Sequence, residues 1–167
     1  MQARRDTELS ALQNEILEAV AKGIPFASVA NTLCERAEAL APGANCTITA
    51  IDSEGLIHPV AGPSLPVSYG EAIDGVPIGP EVGSCGTSAY FGTPVEVTDI
   101  ATDPRWSNFK SVALPLGLKA CWSSPIKSPD GRVVGTFAFY YRECRGPSDL
   151  ERQLVDTCVH LCSIAME

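Results

Sequence analysis

The segment GSCGTSAYFG, residues 83–92, places a cysteine among glycines and hydroxyl-bearing residues at the start of a helix-like stretch. The thiol of Cys85 allows three interpretations: a small buried apolar residue, a contact to a ligand, or a reactive nucleophile. A cysteine at such a position is most often simply buried. A helix N-terminus can nevertheless lower the pKa of a thiol and make it reactive. These residue types therefore permit chemistry at this point without requiring it.

The same segment has the groups that hold a polar ligand. The first amides of a helix have no partner within the helix and carry partial positive charge. Gly83 and Gly86 permit a close approach to the backbone, and Ser84 and Thr87 add hydroxyl donors. If the segment faces a cavity, it is expected to bind an anion or a polar small molecule there.

Aromatic and acidic residues elsewhere are candidates for the walls of a ligand site. An aromatic cage around a ligand is one use of such side chains, and packing between a helix and the sheet is the alternative for each. Asp99 and Asp103 either pair with a cationic ligand or cap the turns that follow them. The aromatic candidates are Tyr69, Tyr90, Trp106, Phe109 and Trp122.

The composition narrows the functional class. The chain has 167 residues, a formal net charge of −8 and seven cysteines. A surface this acidic repels phosphate backbones, so no nucleic-acid partner is expected. The absence of a signal-type segment and of a long apolar run predicts a cytoplasmic protein without a membrane span, with its cysteines as free thiols. No zinc, Walker or Rossmann pattern occurs, and neither His58 nor His160 is placed to ligate a haem.

The hydrophobic periodicity predicts a single α+β domain over residues 1–167. Consecutive hairpins indicate an antiparallel sheet with helices against it. Ser148 and Glu151 have the spacing of a capping box at the start of the last helix. The predicted regions are N-terminal helices at 7–41, a sheet with covering loops and short helices at 45–142, and a C-terminal helix at 148–167.

Four motifs in this order resemble the GAF domain family, the small-molecule sensor modules of bacterial histidine kinases, diguanylate cyclases and transcription regulators. They are G-S-C-G-T-S-A at 83–89, V-x-D-I-A-x-D-P-x-W at 97–106, G-L-x-A-C-W-S-x-P-I at 117–126 and D-G-x-V-x-G-T-F-A at 130–138. The resemblance extends over nearly the whole chain.

The resemblance implies a GAF/PAS-like fold with five or six antiparallel strands in the order 2-1-5-4-3. The first and last helices would share one face, and loops and short helices would cover a pocket on the other, with residues 83–87 above it. The ligand-binding residues expected on this basis are Gly83, Ser84, Cys85, Gly86, Thr87, Tyr90, Asp99, Trp106, Phe109 and Trp122. No residue is expected to be catalytic or to bind a metal.

The function implied is non-catalytic sensing, as in two-component systems. A small molecule or anion of unknown identity would bind in the pocket, and a homodimer would relay the signal through its terminal helices to a linked output domain. A bilin is not expected, because the only Cys-x-His, at 158–160, lies in the last helix. One alternative is a dimerisation and relay module that binds no ligand.

A second alternative is a thiol enzyme similar to the free methionine-R-sulfoxide reductases, which also have the GAF fold and carry a similar G-x-C-G-T-A. Those enzymes need further cysteines in the same pocket. Residues 68–79 and 109–117 contain none, and Cys121 is expected to lie elsewhere, on a strand. The sequence therefore predicts a protein that is not an enzyme.

Overall fold

The computed structural model describes residues 2–167 and has six helices and five strands in that part of the chain. The helices are α1 (Gln2–Ala21), α2 (Phe26–Leu40), α3 (Val67–Ile73), α4 (Gly83–Phe91), α5 (Lys110–Ala113) and α6 (Asp149–Ala165). The strands are β1 (Ala44–Ile51), β2 (Ile57–Ala61), β3 (Val95–Val97), β4 (Ala120–Lys127) and β5 (Val133–Tyr141). Two 3₁₀ turns, Pro104–Trp106 and Leu114–Leu116, flank α5.

The five strands form one antiparallel sheet in the order β2-β1-β5-β4-β3. This confirms the predicted α+β fold and strand order. β1 with β2 and β4 with β5 are sequential hairpins, whereas β1 with β5 is a long-range pairing in the middle of the sheet. The residues on the central strands are consequently buried on both faces.

One face of the sheet packs against α1, α2 and α6. Strand alternation directs Phe137, Phe139 and Tyr141 of β5 to this side, where Ile48 of β1 and Trp122 of β4 join them in the main hydrophobic core. α1 and α6, the first and last helices, contact each other here as expected. No helix among residues 2–167 has the length and apolar character that crossing a bilayer requires.

The opposite face of the sheet is rich in hydroxyl and thiol groups. Thr47 and Thr49 of β1 and Cys121 and Ser123 of β4 lie in register with the alternate residues of β5, which include Tyr140. Thr49 and Thr136 join their hydroxyls across β1 and β5 at 2.5 Å. α3, α4 and the segment around α5 cover this face, so the site must be sought between these helices and the sheet.

Two helix boundaries show how local sequence sets the elements. The capping box of α6 forms as predicted, with Ser148 Oγ accepting from Glu151 N–H and the Glu151 carboxylate accepting from Ser148 N–H. α1, by contrast, begins at Gln2 rather than at residue 7. The polar first turns support this extension, since Arg4 pairs with Glu8 at 3.4 Å and Thr7 donates to the Ala3 carbonyl.

Candidate functional site

Two glycines with positive φ set the two ends of α4. Gly83 begins the helix with φ at +61°, and Gly92 ends it in the left-handed region with φ at +71°. Thr87 closes the first turn: its hydroxyl donates to the Gly83 carbonyl at 2.5 Å and accepts from Val82 N–H at 3.1 Å. All residues from 83 to 89 are buried.

The space beneath the start of α4 is filled by Trp106. This side chain is 3% exposed, and its indole N–H donates to Ser84 Oγ at 3.1 Å. Ser84 Oγ in turn donates to the carbonyl oxygen of Cys121 at 3.0 Å. The indole ring packs so tightly on Gly83 that a Cβ added to this glycine would lie 3.4 Å from it. The remaining cavity, about 30 Å³, has room for roughly one water molecule.

The expected small-molecule pocket beneath residues 83–87 is therefore occupied by the protein's own side chains. Ser84, Cys85, Trp106 and Phe109 are brought together as predicted, but around this small cavity rather than around a ligand-sized space. The physical reason is that Trp106, the last residue of the motif at 97–106, packs its side chain into the space beneath the first turn of α4.

Three of the expected ligand-binding residues lie elsewhere. Tyr90 is 53% exposed, because α4 has turned its side chain toward solvent and against Phe91. Trp122 points to the other face of the sheet, the one packed against α1, α2 and α6, where its ring lies near the Arg152 guanidinium. Asp99 accepts hydrogen bonds from Ala101 N–H and the Thr102 hydroxyl, so it caps a turn.

Cys85 has a partner that the sequence analysis placed elsewhere. Its thiol lies against that of Cys121, which shares the buried cluster between α4 and the sheet. Hydrogen bonding from Cys121 outweighs the opposing effect of burial and, with the hydroxyls of Ser123, Thr136 and Tyr140, lowers the pKa of Cys85 to about 6. Burial raises the pKa of Cys121. The expectation that Cys121 lies away from Cys85 was wrong, because α4 packs directly on β4.

A larger space lies between α3 and the β1–β2 hairpin, and we call it the α3 cleft. Its volume is about 370 Å³, within the range of small-molecule sites. Thr47 and Thr49 of β1 contribute to it, and the apolar residues in its lining include Pro59, Leu65, Tyr69 and Ile73. The hydrogen bond between the hydroxyls of Tyr69 and Tyr140, 2.7 Å long, stands between this cleft and the small cavity beneath α4.

Thr47, one of the residues at the α3 cleft, has a buried hydroxyl without a partner in residues 2–167. Thr47 is 8% exposed, and its Oγ1 has no hydrogen-bond partner among the described residues. An unsatisfied buried polar group is costly, so such groups are rare in folded proteins. Of the aromatic residues that were candidates for the walls of a ligand site, Tyr69 lines this cleft, and none of the ten expected ligand-binding residues does. The alternation of Thr47 and Thr49 in β1 was visible in the sequence, but their role was not.

His58 connects α3 to the β1–β2 hairpin at the outer side of the α3 cleft. Its Nε2 lies 2.7 Å from the Asp52 carboxylate in the β1–β2 turn, and its Nδ1 lies 2.8 Å from that of Asp74, which follows α3. Hydrogen bonding to Asp52, reinforced by Asp74, raises the pKa of His58 above its usual 6.5. The imidazolium thus bridges two carboxylates that anchor α3 to the hairpin.

This bridge predicts a pH dependence of stability. Because the pKa of His58 is raised in the folded state, its contribution is fully present below pH 6.5 and is lost as the pH rises through the folded value. We expect His58→Gln to lower the urea midpoint at pH 6 and to have little effect at pH 9. An NMR titration of His58 with a midpoint at or below 6.5 would contradict the bridge.

The chain is similar to known proteins in sequence. Residues 23–167 match the GAF domain family model. The chain is 37% identical over 167 residues to a methyl sulfide methyltransferase-associated sensor of Methanosarcina acetivorans. The match covers 99% of this chain but 17% of the relative's length, so this chain spans only a small part of that protein.

Several solved structures share the fold. A GAF domain structure aligns with a TM-score of 0.76 at 15% identity, covering 96% of this chain and 88% of that one. The GAF domain of a phosphoenolpyruvate-protein phosphotransferase from Coxiella burnetii gives 0.75 at 16% identity, over 96% and 94%. Free methionine-R-sulfoxide reductase from Neisseria meningitidis, in complex with its substrate, gives 0.73 at 14% identity, over 94% and 87%. At these identities the likeness concerns the fold alone.

Proposed function

The chain belongs to the GAF domain family, and on that premise we propose that it is a sensory module that binds a small molecule in the α3 cleft and leaves it chemically unaltered. The observation that carries this proposal is a cleft of about 370 Å³ between α3 and the sheet, a volume within the range of small-molecule sites. The relative from Methanosarcina acetivorans, which is named a sensor, supports the general role. We place the ligand in the α3 cleft and not beneath α4, because Trp106 fills the space beneath α4.

The sheet offers a route from the cleft to the terminal helices. Thr47 and Ile48 are adjacent in β1, and strand alternation directs Ile48 into the core shared with α1, α2 and α6. A guest that shifts α3 against β1 would therefore change the packing beneath α1 and α6. We propose that this change passes along the terminal helices to an output domain in a longer chain, since packed elements transmit such shifts in discrete steps.

The test is a thermal-shift screen of residues 1–167 with amino acids, amines, alcohols, purines, nucleotides and inorganic anions. A hit should lose its effect in Gly70→Leu, because Gly70 lines the cleft and a leucine there would fill it. Ala72→Leu is the matched control, since Ala72 is exposed on the same helix and does not line the cleft. If no compound stabilises the wild type, or if Gly70→Leu binds equally well, the module is a relay element without a ligand in this cleft.

Dimerisation forms part of the proposal. α1 and α6 lie together on one face, and a second copy packed through them would couple two sensors to one output. Light scattering at high protein concentration tests this point. A mass of one chain at all concentrations would exclude dimerisation by this segment alone.

A second candidate, thiol-dependent reduction, is favoured by the contact between Cys85 and Cys121. In such a reaction the sulfoxide oxygen leaves as water while two thiols are oxidised to a disulfide. Against it, the cavity at Cys85 is about 30 Å³ and Trp106 closes it, so free methionine sulfoxide does not fit. Turnover with dithiothreitol that disappears in Cys85→Ser would establish the enzyme, and absence of turnover in the wild type would exclude it.

A further inference from the structure

We propose that Cys85 and Cys121 form a modification site for hydrogen peroxide, which oxidises Cys85 so that the two thiols close to a disulfide between α4 and β4. This inference goes beyond the ligand binding proposed above, because it uses a different site and does not involve the α3 cleft. Three observations carry it: the contact between the two thiols, a small cavity beside Cys85, and a second thiol pair that lines neither cavity.

Hydrogen bonds on both sides of Cys85 hold α4 against β4. Ser84, the residue before it, donates from Oγ to the Cys121 carbonyl oxygen at 3.0 Å. One turn further along α4, the Ser88 hydroxyl lies 3.0 Å from that of Ser123 in β4. Between these two points the Cys85 thiol lies against that of Cys121 in the buried cluster. A disulfide here therefore joins two sulfurs that are already neighbours.

The cavity beneath α4 gives access to one of the two thiols. Cys85 lines this space of about 30 Å³, whereas Cys121 does not. Val82 and Phe109, also in the lining, are half-buried, so the cavity extends toward the surface. The space is large enough for water, and hydrogen peroxide, with two oxygen atoms, is little larger. Cys85 is therefore the thiol that meets the oxidant, and Cys121 is the thiol that completes the disulfide.

The surroundings of Cys85 favour its reactive form, the thiolate. Hydrogen bonding with Cys121 is the main cause of its lowered pKa of about 6, which leaves most of this thiol ionised at neutral pH. The Tyr140 hydroxyl accepts a hydrogen bond from the Tyr69 hydroxyl at 2.7 Å, so its own proton is free to bond to the Cys85 sulfur. A thiolate beside a cavity of this size is suited to a small peroxide.

The oxidation balances in two steps. In the first, the Cys85 sulfur attacks one peroxide oxygen and the O–O bond breaks; the other oxygen takes the thiol proton and leaves as water, and Cys85 becomes a sulfenic acid. In the second, the Cys121 sulfur attacks that of Cys85 and the S–O bond breaks; the hydroxyl leaves as water with the Cys121 proton. Two thiols are oxidised to a disulfide, and the peroxide is reduced to water.

A second thiol pair in the same chain provides a matched control. Cys34 of α2 and Cys46 of β1, the control pair, are also in contact, but both are 0% exposed and neither lines the α3 cleft or the cavity beneath α4. Burial raises the pKa of Cys46. If peroxide reached buried thiols only when the whole protein unfolds, both pairs would react alike.

Peroxide treatment of residues 1–167 at neutral pH tests the proposal. Free thiols are blocked with N-ethylmaleimide, and digestion with trypsin and Glu-C then isolates Cys85 in residues 82–96 and Cys121 in residues 120–127. We expect mass spectrometry to find these two peptides joined at least about tenfold faster than those of the control pair, because the thiolate is the nucleophile. Dithiothreitol should separate them. Equal rates for the two pairs, or no joining of these peptides, would overturn the proposal.

Two serine variants assign the roles of the thiols. In Cys121→Ser the first step should proceed and then stop, so dimedone, which labels sulfenic acids, should label Cys85 more than in the wild type. In Cys85→Ser neither the disulfide nor a label on Cys121 should form, and a label there would contradict the proposed order of attack. Both variants are made together with Cys144→Ser, because Cys144 is exposed and would itself be labelled.

Free methionine-R-sulfoxide separates this site from the thiol-dependent reduction considered above. At the same concentration it should leave Cys85 and Cys121 reduced, because the cavity does not hold it. Disulfide formation as fast as with peroxide would overturn the proposal and support the enzyme. Loss of the peroxide reaction would leave a ligand of the α3 cleft standing, and the absence of such a ligand would leave the thiol pair standing.

Discussion

Replacing Trp106 with alanine should destabilise the protein by about 3–5 kcal/mol, the usual cost of truncating a buried tryptophan. The side chain is 3% exposed and packs on Gly83, with its ring edge-on to Tyr140 at 6.4 Å. The indole N–H is also bonded to Ser84. The variant therefore loses packing on α4, packing on the sheet and a buried hydrogen bond at once. Urea unfolding followed by circular dichroism measures the loss.

Two phenylalanine variants separate the hydrogen bond from the volume. Trp106→Phe removes an indole N–H that is bonded, whereas Trp122→Phe removes one that has no partner among residues 2–167. We expect Trp106→Phe to cost at least about 2 kcal/mol more than Trp122→Phe, because the first gives up one buried hydrogen bond and the second relieves the cost of a buried N–H without a partner. Equal costs would show that the contact to Ser84 contributes nothing.

The vacated space in Trp106→Ala offers a further check on the corner beneath α4. Added indole should raise the melting temperature of this variant and leave that of the wild type unchanged, because apolar cavities of this kind bind matching small molecules. Stabilisation of the wild type by indole to the same extent would mean that the corner is open in the natural protein. In that case the originally expected site at residues 83–87 would be restored.

The elements of the fold could be predicted because each depends on local or periodic features. Alternation in β1 and β5, the glycine that ends α4 and the capping box at Ser148 and Glu151 are all readable from neighbouring residues. The motifs then indicated one family and, with it, the order of the strands. Nothing in this required knowing which side chains meet across the sheet.

The site could not be predicted in the same way, because it depends on contacts between distant segments. Trp106 reaches Gly83, and Cys85 reaches Cys121, only after α4 and the loop before α5 have packed on the sheet. The Thr47 hydroxyl has no partner because no donor or acceptor from another segment of residues 2–167 lies within hydrogen-bond distance of it. A sequence pattern does not contain this information. Trp122 and Cys121 are adjacent in β4 and lie on opposite faces of the sheet, but alternation alone does not tell which face lies under α4, so Trp122 was expected in the site although it packs in the other core.

Replacing Glu151 with alanine should cost about 3 kcal/mol, because it leaves buried hydrogen-bond donors without an acceptor. The Glu151 side chain is 5% exposed and accepts from the Tyr141 hydroxyl at 3.0 Å, from Arg145 at 2.9 Å and from the Ser148 N–H at 2.9 Å. It joins the end of β5 to the first turn of α6. Urea unfolding again provides the measurement, with Glu143→Ala as the matched control.

Glu143 is a suitable control because it pairs with the same guanidinium from the surface. Its carboxylate lies 3.1 Å from Arg145 Nε, and its side chain is exposed. An exposed ion pair contributes about 0–1 kcal/mol, so Glu143→Ala should be nearly neutral. If both variants cost the same, the burial of Glu151 is not what makes it important.

The stabilisation contributed by the Glu151 carboxylate should decrease at acidic pH. Burial opposes ionisation of the carboxyl, but Arg145, the Ser148 N–H and the Tyr141 hydroxyl together outweigh it and lower the pKa of Glu151 below 4.5. Its contribution is therefore present above pH 4.5 and is lost as the pH falls through the folded value. The difference in unfolding free energy between wild type and Glu151→Gln should shrink from pH 6 to pH 3. Because this carboxylate joins the end of β5 to the first turn of α6, acidification should loosen the attachment of α6 at that point.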